Sequence, residues 1–174
     1  MRQLLLLRHA KSSWDDPKLP DFERPLNLRG RAAATAMREA MAGLGLSPDQ
    51  VLVSTAQRTL QTLDALEPWE ETPLIDRLDA LYLAPAAGLL RAIQDLQPTV
   101  RSAMVIAHNP GLHDLAMLLL GTPATEGADH RRLREGYPSG ALVELVVPGP
   151  WADLAEGGAR LAHFLCPRDL PPAH

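Results

Sequence analysis

Four residues with the chemistry to handle a phosphoryl group stand in this sequence: Arg8, His9, Arg58 and His108. Guanidinium groups form paired, charge-assisted hydrogen bonds with phosphate oxygens. A neutral imidazole can attack phosphorus and carry the group as a covalent intermediate. Two arginines and two histidines in one pocket would support phosphoryl transfer with fixed cations in the role that Mg²⁺ often has. No His-x-x-x-His or Cys-x-x-Cys spacing is present, so we predict neither a metal site nor another cofactor.

Each of these residues follows a short apolar run that predicts a buried strand, at residues 3–8, 50–54 and 102–107. If the strands are parallel, their C-terminal ends meet at one edge, where ligands bind in open α/β sheets. Arg58 lies in the first turn of a predicted helix, residues 56–66, whose N-terminus would add partial positive charge. Lys11, Ser54 and Asn109 stand beside the four and are predicted to help bind the substrate.

The remaining pattern alternates helices with strands. Helices are predicted at 28–44, 86–96 and 112–120, with Asn27 as an N-cap and Ser54 or Thr55 capping the helix at 56–66. A weak strand is predicted at 72–75, and two final strands at 141–147 and 158–164 could pair antiparallel. This order predicts an α/β three-layer sandwich with a mostly parallel central sheet, as one domain over residues 1–174. Residues 12–27, 76–85 and 122–140 read as loops, the first as a wall of the site, and 167–174 as a loose tail.

Net charge and composition argue against two classes of binding partner. The chain has 174 residues and a formal net charge of −4, which argues against nucleic acid as a partner, since such proteins usually present a basic surface. The N-terminal apolar run is too short to cross a membrane, so no membrane partner is expected. Cys166 is the one cysteine. A chain that can form no internal disulfide fits a reducing compartment, and we expect a cytoplasmic protein.

The order and spacing of these residues resemble the histidine phosphatase superfamily, whose fold is phosphoglycerate mutase-like. The sequences at residues 6–14 and 24–30 also resemble those of the SixA-type phosphohistidine phosphatase branch. The resemblance covers nearly the whole chain. Its motifs are Arg8-His9-Ala10, then Ser54-x-x-x-Arg58-x-x-Gln61-Thr62, then His108-Asn109.

The resemblance implies that His9 is the nucleophile that becomes phosphorylated and that Arg8, Arg58 and His108 bind the phosphoryl group. It further implies a metal-independent phosphatase acting on a phosphorylated protein, as SixA-type members do on phosphohistidine, or on a small phosphate ester. Two alternatives stay open: a phosphomonoesterase for a sugar or metabolite phosphate, and a non-catalytic module that binds phospho-ligands on the same fold.

Two carboxylates depart from the family pattern. Asp15 stands where mutase-like members place an asparagine against the phosphate, so we expect it to turn away, pair with an arginine or contribute a proton. Asp79, or else Asp76, is the candidate for the general acid that many members carry. The alternative is that Asp79 pairs with Arg77 or solvent, since phosphohistidine needs little acid assistance to leave.

Other polar residues near the predicted site have weaker signals. Lys11 and Arg24 could extend the positive pocket, whereas Trp14 is expected to pack the loop. His113, on the fourth helix, is expected to be a surface or packing histidine. The basic cluster of His130, Arg131, Arg132 and Arg134 reads as a solvated charge run, with a substrate clamp as the alternative.

Overall fold

The computed structural model describes residues 1–173 and contains six strands and five helices over that range. The strands are β1 (Arg2–Arg8), β2 (Gln50–Ser54), β3 (Leu74–Leu78), β4 (Ser102–Ala107), β5 (Leu142–Val147) and β6 (Arg160–Leu165). The helices are α1 (Leu28–Gly43), α2 (Gln57–Asp64), α3 (Ala86–Gln94), α4 (Gly111–Leu120) and α5 (Ala128–Glu135).

The strands form one sheet in the order β3-β2-β4-β1-β5-β6. Strands β1 to β4 are parallel, while β5 pairs antiparallel with both β1 and β6. The predicted α/β fold with a mostly parallel central sheet is thereby confirmed, as is the antiparallel pairing at its end. Because β2, β4 and β1 are neighbours, their C-terminal ends lie side by side.

The four consecutive leucines of β1 are buried because helices cover both faces of the sheet. Leu4 and Leu6 pack on the face covered by α3, α4 and α5, and Leu5 and Leu7 pack on the face covered by α1 and α2. Each is at most 1% exposed, which is worth about 1.5–3 kcal/mol per side chain. In the parallel pairing of β1 with β4, Arg8 lies opposite Ala107, which puts Arg8 and His9 at the edge of the sheet.

Two elements differ from the sequence expectation. Residues 122–140 were expected to be a loop, but they contain α5, on which only His130 and Leu133 are buried. With only two buried positions in eight residues, the segment lacks the repeated apolar residues from which a helix is predicted. The weak strand expected at 72–75 is β3, at Leu74–Leu78; as an edge strand it carries exposed Asp76 and Arg77, so it has no apolar run there.

The ends of the elements also show differences. Asn27 caps α1 as predicted, its side chain accepting a bond from the Gly30 amide at 2.8 Å. The N-cap of α2 is Ala56, however, and not Ser54 or Thr55. In the expected loose tail, Pro167–Asp169 forms a 3-10 turn and Asp169 pairs with Arg132. The last residue of that tail, residue 174, lies outside the described residues.

A membrane crossing would need a helix both longer and more apolar than any that the described part of the chain contains.

Candidate active site

His9 and His108 meet at the C-terminal edge of the sheet. They directly follow the neighbouring parallel strands β1 and β4, and the His9 amide donates to the Ala107 carbonyl at 3.2 Å. The two imidazole rings are 5.3 Å apart between centroids and tilted by 54°. His9 is 8% exposed and His108 2%, so both rings lie below the surface and the site is a recess.

Hydrogen bonds orient both imidazoles. Nδ1 of His9 lies 2.7 Å from the Ala10 carbonyl oxygen. Because a carbonyl only accepts, Nδ1 carries the proton and Nε2 keeps the lone pair of the neutral ring. Nε2 of His108 lies 2.7 Å from Ser54 Oγ, and its Nδ1 is buried with no partner. Nε2 of His9 therefore keeps its lone pair, and His108 has a ring nitrogen without a hydrogen-bond partner.

Both histidines are neutral in the free protein. Burial, followed by the charges of Arg58 and Arg8, lowers the pKa of His9 to about 4, despite the opposing hydrogen bond to Ala10. Burial, followed by the charge of Arg58 and the proximity of His9, lowers the pKa of His108 to about 3. A neutral His9 is the nucleophilic form at physiological pH.

Arg8 and Arg58 are held by their terminal nitrogens. Nη1 of Arg8 donates to the Tyr137 carbonyl at 2.8 Å. Nη1 of Arg58 donates to the Asp21 carbonyl at 2.7 Å, and Nη2 donates to Asp21 Oδ2 at 3.0 Å. In each arginine, Nε is buried and has no partner.

Unpartnered buried atoms concentrate at this edge. Among residues 1–173, five buried side-chain nitrogen or oxygen atoms have no hydrogen-bond partner, and three of them belong to Arg8, Arg58 and His108. Buried polar groups are almost always satisfied, so three such atoms close together indicate a candidate ligand site. Two of the three are guanidinium nitrogens, which favours an anion as the ligand.

Asp21 is a residue of the candidate site that the sequence reasoning did not single out. Its Oδ1 accepts from Arg24, and its Oδ2 accepts from both Arg58 and the Tyr82 hydroxyl. Burial alone would raise the pKa of Asp21, but hydrogen bonds from Tyr82, Arg24 and Arg58 and the Arg58 charge lower it to about 2. The density of charged and aromatic residues at 12–27 predicted a wall of the site, but nothing in that segment indicated which carboxylate faces Arg58.

Aromatic rings line the approach to the histidines. The Tyr82 ring stands edge-on to His108 at 5.4 Å, and Phe22 stands edge-on to Tyr82 at 4.9 Å. Trp14 is 75% exposed and its ring lies 3.5 Å from the Arg24 guanidinium carbon. Trp14 thus packs on the loop, and Phe22 and Tyr82 form the side of the recess.

The other predicted binding residues occupy different positions. Ser54 contacts His108, as described, and Asn109 donates to the Tyr137 carbonyl at 3.0 Å, so it shares that acceptor with Arg8. Arg24 is buried and close enough for its charge to lower the pKa of His9. Lys11 is exposed.

The three carboxylates singled out in the sequence lie outside the cluster of unpartnered atoms. Asp79 follows β3 at the same sheet edge and accepts from the Thr55 hydroxyl. Asp76 is bonded to Gln50, at the opposite end of β2. Asp15 is exposed. The carboxylate that pairs with an arginine of the site is therefore Asp21.

The remaining candidates pack or pair away from the two rings. His113 Nε2 bonds the Leu133 carbonyl, and its ring contacts Tyr137. In α5, Arg132 pairs with Asp129 and Asp169, and Arg134 pairs with Glu126. Within residues 1–173, no three or more His, Cys, Asp or Glu side chains are grouped so as to hold a metal ion.

Known proteins are similar to this chain in sequence and in fold. The model of the histidine phosphatase superfamily (branch 1) matches residues 4–81. The Mycobacterium tuberculosis protein Rv1276c, itself uncharacterized, is 34% identical over 168 residues, which cover 93% of this chain and all of the relative. Two solved structures named as candidate phosphohistidine phosphatases SixA are also similar. The one from Nakamurella multipartitia is 29% identical with a TM-score of 0.84, covering 95% of this chain and 96% of that one.

The second, from Agrobacterium tumefaciens, is 31% identical with a TM-score of 0.79, covering 95% of this chain and 97% of that one. The sequence match, the shared fold and the recessed pair of histidines between two arginines agree with one another. The chain belongs to the histidine phosphatase superfamily, in its SixA-type branch, and is a phosphatase.

Proposed function

We propose that this phosphatase hydrolyses phosphohistidine in a protein substrate through a phosphoryl intermediate on His9. The observation that carries the proposal is the oriented, neutral imidazole of His9 beside the unpartnered nitrogens of Arg8, Arg58 and His108. In this proposal, these nitrogens take phosphoryl oxygens while Nε2 of His9 attacks phosphorus. In the same proposal, Lys11, Ser54 and Asn109 help to bind the substrate. Ser54 also orients His108.

The reaction would proceed in two displacements. The Nε2 lone pair of His9 attacks phosphorus and the P–N bond of the substrate breaks. Its electron pair goes to the leaving ring, whose other nitrogen already carries a proton, so that a neutral imidazole departs. A water molecule then attacks phospho-His9 and the new P–N bond breaks. His9 is restored as a neutral imidazole that keeps its Nδ1 proton, and the proton lost by the water stays on the released phosphate. Arg8 and Arg58 neutralise the phosphoryl oxygens in both transition states.

The acid–base character of Asp21 supports phosphohistidine over an ester as the substrate. Asp21, the carboxylate bound to Arg58, is ionised because its pKa is lowered to about 2, so it has no proton to donate near neutral pH. An alkoxide leaving group needs a general acid, whereas imidazole is a far better leaving group. The SixA structures named above are candidates for the same activity. The buried, unpaired Cys166 is consistent with action in the cytoplasm.

A labelling experiment tests the proposal. The protein is incubated with a phosphohistidine protein, a phosphoserine peptide or a sugar phosphate, then quenched and analysed for acid-labile phosphate on His9. We expect the fastest turnover with phosphohistidine and loss of turnover and adduct in His9→Ala. His163→Ala, which changes an exposed histidine on β6, serves as the control that keeps both.

Each other outcome would point elsewhere. Turnover by His9→Ala would exclude His9 as the nucleophile. Preference for the sugar phosphate would favour a small-molecule phosphomonoesterase. Binding of phospho-ligands without turnover or adduct for any donor would favour a non-catalytic module.

A further inference from the structure

Asp21 presents a problem that the proposed chemistry does not explain. It is an ionised carboxylate in contact with Arg58, one of the groups that must bind a negatively charged phosphoryl group. A negative charge at this place repels the substrate. Since its depressed pKa keeps it from donating a proton near neutral pH, its contribution must lie in what it holds in place.

Asp21 binds two of the three guanidinium nitrogens of Arg58 and leaves the third without a partner. Both terminal nitrogens are occupied by Asp21, one by its main-chain carbonyl and one by its carboxylate. Nε is buried and unpartnered. Arg8 follows the same pattern, with Nη1 on the Tyr137 carbonyl and Nε unpartnered. In both arginines an anchor takes a terminal nitrogen and leaves Nε uncommitted.

The loop that carries Asp21 is fixed to the same helix as Arg58. One turn along α2 from Arg58, the Gln61 side chain accepts from the Leu26 amide at 2.8 Å. Two further donors, Arg24 and the Tyr82 hydroxyl, hold the Asp21 carboxylate from other sides. The carboxylate is therefore a fixed point against which a long, flexible arginine side chain can be oriented.

We infer that Asp21 is a positioning residue: its carboxylate and carbonyl lock the Arg58 guanidinium so that Nε and the remaining N–H groups face the phosphoryl oxygens. This inference rests on the proposed function for the identity of the substrate, but the geometry requires only that an anion binds. Asp21, the first residue of the 3-10 turn Asp21–Glu23, thereby preorganises the site. The repulsion from one carboxylate is outweighed by the gain from a guanidinium that needs no reorganisation when the anion arrives.

The sign of one measurement separates positioning from simple electrostatics. In Asp21→Asn a single amide oxygen has to serve both Arg24 and Arg58, and the amide N–H groups face a guanidinium. If Asp21 positions Arg58, this variant binds inorganic phosphate about 10- to 100-fold more weakly, the range expected for a misplaced binding group. If Asp21 acted only through its charge, removing it would tighten phosphate binding.

The matched control is Glu23→Gln, which removes the same charge from an exposed residue of the same turn that makes no side-chain contact with the arginines. Phosphate affinity is measured by calorimetry for the wild type and both variants, with kcat and KM determined for phosphohistidine and melting curves recorded to check folding. We expect Glu23→Gln to match the wild type. We expect Asp21→Asn to have a lower kcat and a higher KM. Unchanged or tighter phosphate binding by a folded Asp21→Asn overturns the inference.

Two further measurements cover the cases in which Asp21→Asn does not fold or the wild type shows no turnover. If Asp21→Asn does not fold, Tyr82→Phe takes its place: it removes one donor to Oδ2, should weaken phosphate binding by a few-fold, and refutes the inference if binding is unchanged. If the wild type shows no turnover with any donor, the proposed function fails, while the phosphate affinities still decide whether Asp21 positions Arg58.

Discussion

Acid should destabilise this protein through its two buried histidines. In the folded chain the pKa of His9 is about 4 and that of His108 about 3, below the ordinary value of 6.5. Between those values and 6.5 the unfolded chain binds protons that the folded chain does not. The free energy of unfolding therefore falls as the pH falls through this window, and is unaffected by these groups above it.

The magnitude at about pH 5.5 follows from the ordinary histidine pKa alone. An unfolded histidine is then about nine-tenths protonated, while both folded histidines stay neutral because their pKa values lie more than one unit lower. Each histidine thus costs about 1.4 kcal/mol of stability, and the pair about 2.8 kcal/mol. At about pH 7.5 the same cost is below about 0.1 kcal/mol per histidine. For a chain of this length, 1.4 kcal/mol corresponds to about 3–6 °C in Tm.

Urea unfolding of the wild type, His9→Gln, His108→Gln and the double variant at these two pH values measures the effect. Each single variant should lose about 1.4 kcal/mol less than the wild type on acidification, and the double variant about 2.8 kcal/mol less. Ser54→Ala is the control: it removes the hydrogen bond to His108 but no titrating group, so it keeps the full acid-dependent loss. Equal losses in the wild type and the double variant would refute the reasoning.

Two other substitutions test the surroundings of the site. A Cβ at Gly111 would stand 1.9 Å from the Ala84 carbonyl oxygen, whereas one at Gly88 would meet nothing closer than 3.7 Å. Gly111→Ala should therefore lower the free energy of unfolding by about 1–3 kcal/mol, measured by urea unfolding. It should also reduce phosphohistidine turnover, because it moves α4 and the preceding His108. Gly88→Ala is the control and should change neither quantity. Asp79→Asn should leave phosphohistidine turnover nearly unchanged, like Asp76→Asn; a loss of about 10²-fold on an alkyl phosphate would instead assign Asp79 as a general acid.

The convergence of His9, Arg58 and His108 could be predicted because it depends on local patterns. Three short apolar runs are each followed by a chemically active residue, and parallel strands bring their C-terminal ends to one edge. The family motif then distinguishes these residues from ordinary polar residues at strand ends.

The supports of these residues could not be predicted because they depend on contacts between distant segments. Tyr137 orients Arg8 through a main-chain carbonyl, which carries no side-chain signal in the sequence. It follows α5, a helix whose polar composition hides it. Asp21 lies among several carboxylates of one loop, and only the folded path of that loop selects it over Asp15 as the partner of Arg58.

The charge balance of the recess links its binding and its chemistry. Burial lowers the pKa of His9, and the charges of Arg58, Arg8 and Arg24 lower it further. The charge of Asp21 partly offsets the burial and the Arg58 charge that lower the pKa of His108. The arginines that we propose to bind a phosphoryl group are thus among the groups that keep His9 neutral, and therefore nucleophilic, before it arrives. A bound phosphoryl dianion offsets those positive charges, which raises the pKa of both histidines. His108 can then donate from its uncommitted nitrogen to a phosphoryl oxygen, so the arrival of the substrate itself makes the second histidine a better hydrogen-bond donor.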